Sequence, residues 1–147
     1  MIPLFTDDQF HNIGVGVKLV DFPSVSRKAA AAVGAGKSVD ELALADAEAS
    51  ALGRFLVTRE TKDLGAFKTP QLRNVALTAP YMHDGSQATL REVIDFYDRG
   101  GEPNPYLDGG MRPLALTEQE KADLVALMET FTSSDLARFA ELEKLAK

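Results

Sequence analysis

Glycine and proline interrupt this chain so often that no long regular element fits, and the helix-start signals fall only in the gaps between them. Gly14, Gly16, Pro23, Gly34 and Gly36 make residues 1–37 read as irregular, apart from a helical turn over Arg27 to Val33. Ser38 with Glu41 forms a capping box, and the Ala- and Leu-rich run Val39 to Leu52 then reads as a helix stopped by Gly53. Residues 54–68 read as a loop with at most a short extended piece around Phe55 to Thr58, and Pro70 can open a short helix reaching Leu77. A second box, Thr89 with Glu92, starts a helix carrying Leu90, Val93, Ile94 and Tyr97 at helical spacing, stopped by Gly100 and Gly101. Residues 100–116 hold four glycines and three prolines, which predicts a long loop. Thr117 with Glu120 starts the next helix, whose expected buried stripe is Leu124, Val125, Leu127, Met128 and Phe131. Ser134 or Asp135 is the expected cap of a last helix with Leu136, Phe139, Leu142 and Leu145. The expectation is an all-α single domain over 1–147, its helices joined by long irregular loops.

Composition narrows what such a domain does. The chain has 147 residues, 45% hydrophobic and 26% charged, the balance of a globular domain with a core of ordinary size. Sixteen basic against 22 acidic residues give a net charge of −6, and no basic run is present, which argues against nucleic acid as a partner. No apolar run reaches the length of a membrane span, and Met1 to Phe5 show no signal-peptide pattern. There is no cysteine, so disulfides, thiolate chemistry and Cys-based zinc sites are excluded within these residues.

Most of the polar specialists sit between Phe67 and Gly85: Arg73, Asn74, Thr78, Tyr81, His83 and Asp84, with Pro70 and Pro80. His83 beside Asp84 is the better of the two histidines for proton work or ligation. The plainer reading is a histidine hydrogen-bonded inside a turn closed by Gly85. Ser86 lies close by, but no G-x-S-x-G elbow exists and neighbours in sequence rarely form a triad. His11 and His83 alone cannot make a zinc site, and Gly14-Val-Gly16 lacks the third glycine of a dinucleotide fingerprint. Asp7-Asp8 and Asp95 to Asp98 are carboxylate clusters without EF-hand spacing, better read as solvated faces than as calcium loops.

The stretch F-K-T-P-Q-L-R-N-V-A-L-T-A-P-Y-M-H-D-G (67–85), followed by T-L-R-E-V-I-D-F-Y-D-R-G-G (89–101), resembles the C-terminal domain of bacterial di-haem cytochrome c peroxidases. Leu4 to Val17, with F-H-N-I-G-V at 10–15, is similar to the segment that follows this family's second haem-attachment motif. Gly53 to Thr58 is similar to the piece between, and Leu114 to Phe131 to the closing helix. The resemblance covers nearly the whole chain and implies a cytochrome c-like helical domain holding haem c.

In that family one haem reacts with peroxide, the second passes electrons from a donor protein, and calcium lies between the two domains. The resemblance puts the calcium on the backbone carbonyls of Thr78 and Pro80, and His83 near the haem edge. The family's distal ligand stands fourteen residues after that histidine, which is Tyr97 here. Methionine occupies the place in the electron-transferring peroxidases and tyrosine in the MauG-type branch, which oxidises tryptophan side chains on a partner protein. A phenolate favours ferric iron and a thioether favours ferrous. Met111, shortly before the Thr117 cap, is the competing ligand, and Met82 reads as packing. Arg73, Arg54 and His11 could meet haem propionates. The implied partners are the N-terminal haem domain of the same protein and a donor or substrate protein, with a homodimer also open, in a periplasmic setting.

The chain departs from the family in having no C-x-x-C-H and no peroxide-reactive domain. The attachment motif is expected just before Met1, so the chain reads as an incomplete C-terminal domain, inactive as an enzyme alone. A cut, a proteolytic product, a split protein and a haem-free relative all fit. Two functions stay open: a redox module carrying electrons or oxidising equivalents, and a binding domain that kept only the scaffold.

Overall fold

The computed structural model describes residues 5–17 and 21–134. Its elements are short, as the breakers require: β1 (Phe10–His11), α1 (Phe22–Gly34), α2 (Val39–Ala45), α3 (Ala47–Ser50), α4 (Phe55–Thr58), a 3₁₀ turn (Thr61–Asp63), β2 (Phe67–Lys68), a second 3₁₀ turn (Val75–Leu77), α5 (Leu90–Asp98) and α6 (Glu118–Thr130). The domain is mostly helical, with one correction to an all-α reading. β1 and β2 pair antiparallel, Phe10 with Lys68 and His11 with Phe67.

The N-terminal half closes around a continuous core. Val17, Phe22, Val25, Ala29, Leu42, Ala49, Leu52, Leu56 and Leu64 pack together, and Leu52 is fully buried. α1 is longer than the turn expected at Arg27 to Val33, because Pro23 falls in its first turn, where a missing N–H costs nothing. Phe22, Val25 and Ala29 then line one face. The helix expected over Val39 to Leu52 is two helices. Asp46 is extended and accepts hydrogen bonds from the Glu48 and Ala49 amides, so its carboxylate starts α3 and ends α2. Around Phe55 to Thr58 the chain is helical, not extended. Pro70 opens no helix, and only Val75–Leu77 turns. The expected last helix lies outside the described residues except for Ser134.

A buried amide ties the halves together. Asn12 Nδ2 donates to the Leu64 carbonyl at 2.7 Å and to Asn104 Oδ1 at 3.1 Å, while its Oδ1 accepts from the Gly14 amide and from Asn104 Nδ2. All four positions of the amide are thereby used. Asp108 N–H donates to the Asn12 carbonyl, and Glu102 N–H to that of Ile13. Gly14 has φ +92° and sits so close that a Cβ would fall 2.1 Å from the Glu102 carbonyl oxygen, so a side chain there would displace the 100–116 loop.

The C-terminal half is thinner. α5 buries Leu90, Ile94 and Phe96 and packs on α6, which also touches the second 3₁₀ turn. α6 buries no residue, contrary to the expected stripe. Leu124 is 38% and Leu127 50% exposed, and Phe131 is partly covered by stacking on Phe5 at 4.3 Å. No helix among the described residues is long and apolar enough to cross a membrane.

Candidate functional site

The densest sequence segment folds as a loop whose neck is tied at both ends. Tyr81 and Gln87 exchange backbone hydrogen bonds of 2.7 and 3.4 Å, and Asp84 Oδ1 accepts from the Ser86 amide inside the loop. His83 is held by stacking, and no hydrogen bond to its ring forms among the described residues. Its ring lies on Phe67 with centroids 3.6 Å apart and planes 11° apart, and Gly16 passes beside Nε2. His83 is exposed on its outer side, and the cover these groups give it pushes its pKa down, opposed by the Asp84 carboxylate. Phe67 is also the backbone ladder partner of His11.

Arg54 and His11 are committed to protein partners. The Arg54 guanidinium lies over the Phe10 ring at 3.9 Å, and its Nε is 3.6 Å from Asp63. His11 is bridged by two carboxylates: Nδ1 is 2.7 Å from Asp108 Oδ2 and Nε2 is 2.9 Å from Asp7 Oδ2. Hydrogen bonding to Asp108, then to Asp7, raises the His11 pKa. The Asp7 carboxyl falls to about 2, chiefly through the Gln9 amide, with help from Thr69 and His11. Asp108 falls mainly because of His11.

Arg73 differs. It is half-buried, and no carboxylate or carbonyl among the described residues pairs with it. Its neighbour Asn74 is anchored at the end of α6, donating its amide to the Phe131 carbonyl and accepting from Ser133 through Oδ1. Thr78 ends the second 3₁₀ turn, and no donor among the described residues reaches the Thr78 or Pro80 carbonyl.

Tyr97 stands on the last turn of α5, 39% exposed, its ring edge-on to Phe96. The part of the phenol that the fold covers raises its pKa by burial. Met111 lies around the corner of the same helix end, with Cε 2.7 Å from where a Cβ on Gly101 would stand, so its thioether end is packed on backbone. Tyr97 on α5, Leu77 on the second 3₁₀ turn and Leu124 and Leu127 on α6 are exposed large side chains, and α6 packs on both of the other elements. No three His, Asp or Glu side chains among the described residues are arranged to hold a metal ion. The Asp95–Asp98 cluster is instead bound to Lys121 and Arg91. A cleft of about 610 Å³ between α1, α2 and α3 holds none of the residues singled out in the sequence, and Lys28 at its rim is already paired with Asp46.

The site is thus a ribbon-side cluster around Phe67 and His83, and a helix-side apolar wall around Tyr97. Asp108 and Lys121 were not singled out by the sequence. Asp7 entered only as part of a carboxylate cluster read as a solvated face, and Phe67 only as the first residue of the F-K-T-P motif.

No family model matches the chain. It is 36% identical over 140 residues to the cytochrome-c peroxidase IdrP1 of Denitromonas iodatirespirans, covering 90% of this chain and 35% of that protein. It is 37% identical over 133 residues to the methylamine utilization protein MauG of Methylorubrum extorquens, covering 90% of this chain and 30% of that protein. A crystal structure of a MauG-like protein associated with microbial copper homeostasis superimposes with a TM-score of 0.55 at 45% identity, covering 56% of this chain and 27% of that one. The chain therefore spans about a third of the length of the curated relatives it matches.

The His11 bridge predicts a pH window. A raised histidine pKa stabilises the fold fully below the usual value of about 6.5 and is lost as pH rises through the folded value. The depressed Asp7 and Asp108 pKa values stabilise above about pH 4 and are lost as pH falls below it. The bridge is complete between these limits. The thermal midpoint of the chain should fall as pH rises above about 6.5, and His11→Gln should flatten that fall. Equal falls in the two proteins would show that the bridge contributes nothing.

Proposed function

Because the chain belongs to the di-haem cytochrome c peroxidase and MauG family, we propose that it is the redox module carrying the second haem c of such an oxidoreductase, relaying electrons or oxidising equivalents between a partner protein and the peroxide-reactive haem. The observation that carries the reading is the uncovered apolar wall. The N-terminal half closes its own core while exposing Leu44 and Val57 singly, and Tyr97, Leu77, Leu124 and Leu127 are exposed on α5, the second 3₁₀ turn and α6. We take the exposed apolar groups on these elements, which α6 links, as a surface that something else covers. A haem fits the set in shape and in charge: it is large, flat and apolar, and it carries two propionates. Arg73, half-buried without a partner among the described residues, supplies a guanidinium for one of them. His11 and Arg54 are spoken for by carboxylates and serve the scaffold.

When bound, haem iron supplies one-electron chemistry at a potential set by its axial ligand and surroundings. This chain's part is to present that ligand. Tyr97 Oη must give up its proton to act, and burial alone opposes this. A neighbouring cation is needed to hold the phenolate. An anionic oxygen favours ferric iron, which suits storage of oxidising equivalents and so favours a MauG-type role over a simple relay. Met111 serves less well, with its end packed against Gly101. His83, stacked on Phe67, is proposed to line the haem edge on the side of the peroxide-reactive domain.

The carbonyls of Thr78 and Pro80, which accept no hydrogen bond among the described residues, support a calcium ion shared with that domain, since hard cations take backbone oxygens. The family relationship also supports a periplasmic setting and a protein partner as donor or substrate. A haem-free binding domain is the competing reading.

Two measurements test this reading. Titrating ferric haem into the chain should shift the Soret band, and Tyr97→Phe should remove the phenolate-to-iron absorption while leaving haem bound. An unshifted Soret band would favour the haem-free binding domain. In the two-domain protein, a calcium chelator should lower the thermal midpoint, and identical melting with and without chelator would remove the calcium proposal.

A further inference from the structure

We propose that Lys121 is a positioning residue for Tyr97: it fixes the rotation of α5 about its own axis and so aims the phenol. This rests on the reading that Tyr97 faces the haem iron.

Lys121 is on α6, with its side chain only 12% exposed. Its ammonium lies 2.7 Å from Asp98 Oδ2 and 2.9 Å from Asp95 Oδ1, with Glu118 of its own helix 3.7 Å away. Asp95 and Asp98 stand either side of Tyr97 in the sequence. On a helix of 3.6 residues per turn they share one face about 60° apart, with Tyr97 about 100° round from Asp98. One ammonium gripping both carboxylates therefore fixes an azimuth, and the azimuth of Tyr97 follows.

The other contacts of this helix end work in the same direction. Asp98 Oδ1 accepts from the Leu116 amide at 2.8 Å, and the Asp98 carbonyl accepts from the Leu114 amide at 2.9 Å. Arg91 forks onto Asp95 through Nε and reaches Glu118. The apolar side chains of α6 are at most half-buried, at Val125 and Met128, so the Lys121 grip adds to the hold that the buried Leu90, Ile94 and Phe96 give α5.

The lever arm makes the azimuth matter. A tyrosine oxygen sits about 9 Å from the helix axis, so a turn of 10° moves it by about 1.5 Å. Ligand distances are held within about 0.2 Å. Without Lys121, Asp95 and Asp98 repel each other across the face that should hold the helix.

The test is the absorption spectrum of the haem-loaded chain in wild type, Lys121→Met, Lys121→Arg and Tyr97→Phe, with helical content checked by circular dichroism. Lys121→Met should keep the Soret shift and lose most of the phenolate-to-iron band. Lys121→Arg, which can still fork onto both carboxylates, should restore it. Should Lys121→Met fail to fold, Asp98→Asn breaks the same grip in a nearly isosteric way and should lose the band too. If Tyr97→Phe removes the band while Lys121→Met and Asp98→Asn keep it, the positioning role is wrong and the ligand reading stands. If Tyr97→Phe leaves the band unchanged, the ligand reading falls and the role of Lys121 falls with it.

Discussion

The amide of Asn12 is the point on which the described structure turns. It is buried, and an amide taken out of water is costly unless each donor and acceptor finds a partner. Here Leu64, Gly14 and Asn104 provide them all. Those partners come from three segments far apart in the chain. The amide therefore joins the first strand, the closing edge of the N-terminal core and the long 100–116 loop. That loop is anchored again through Asp108, both by its amide on the Asn12 carbonyl and by its carboxylate on His11. A glycine-rich loop with four glycines and three prolines would otherwise have little to hold it.

The loop's anchorage matters because it leads from the end of α5 to the start of α6. Leu114 and Leu116 return to Asp98, and Thr117 then caps α6. A charge network joins the two helices, formed by Arg91, Asp95, Asp98, Glu118 and Lys121. Partly exposed ion pairs are individually weak, so the strength of such a network lies in direction and register. A helix pair held in this way keeps its geometry while leaving Leu124, Leu127 and Tyr97 open for a ligand. A packed hydrophobic interface would have consumed the same side chains.

What the sequence revealed follows the range of each interaction. Ser38–Glu41 and Thr117–Glu120 were legible because each box is closed within four residues, and both reciprocal bonds form. Thr89 caps as read, but Glu92 takes the Ala88 amide, so the second box is shifted by one residue. The break at Asp46 was hidden inside an alanine-rich run, where one side chain's choice of backbone partners decided between one helix and two. The stripe on α6 was read correctly as apolar and wrongly as buried, since periodicity reports a face and not what covers it. His11–Asp108 and Lys121–Asp95 join residues 97 and 26 positions apart, beyond any local pattern. The motif around His83 was legible through family likeness alone. Its physical setting, a ring stacked on Phe67, needed the fold.

The central claim is that the wall formed by the second 3₁₀ turn, α5 and α6 is where haem seats. Hydrogen–deuterium exchange of the chain with and without ferric haem tests it most directly. Haem should slow exchange at Val75–Leu77, along α5 around Tyr97 and along α6 around Leu124 and Leu127, and leave α1 to α3 unchanged. Protection confined to the cleft between α1, α2 and α3, or none anywhere, would contradict it.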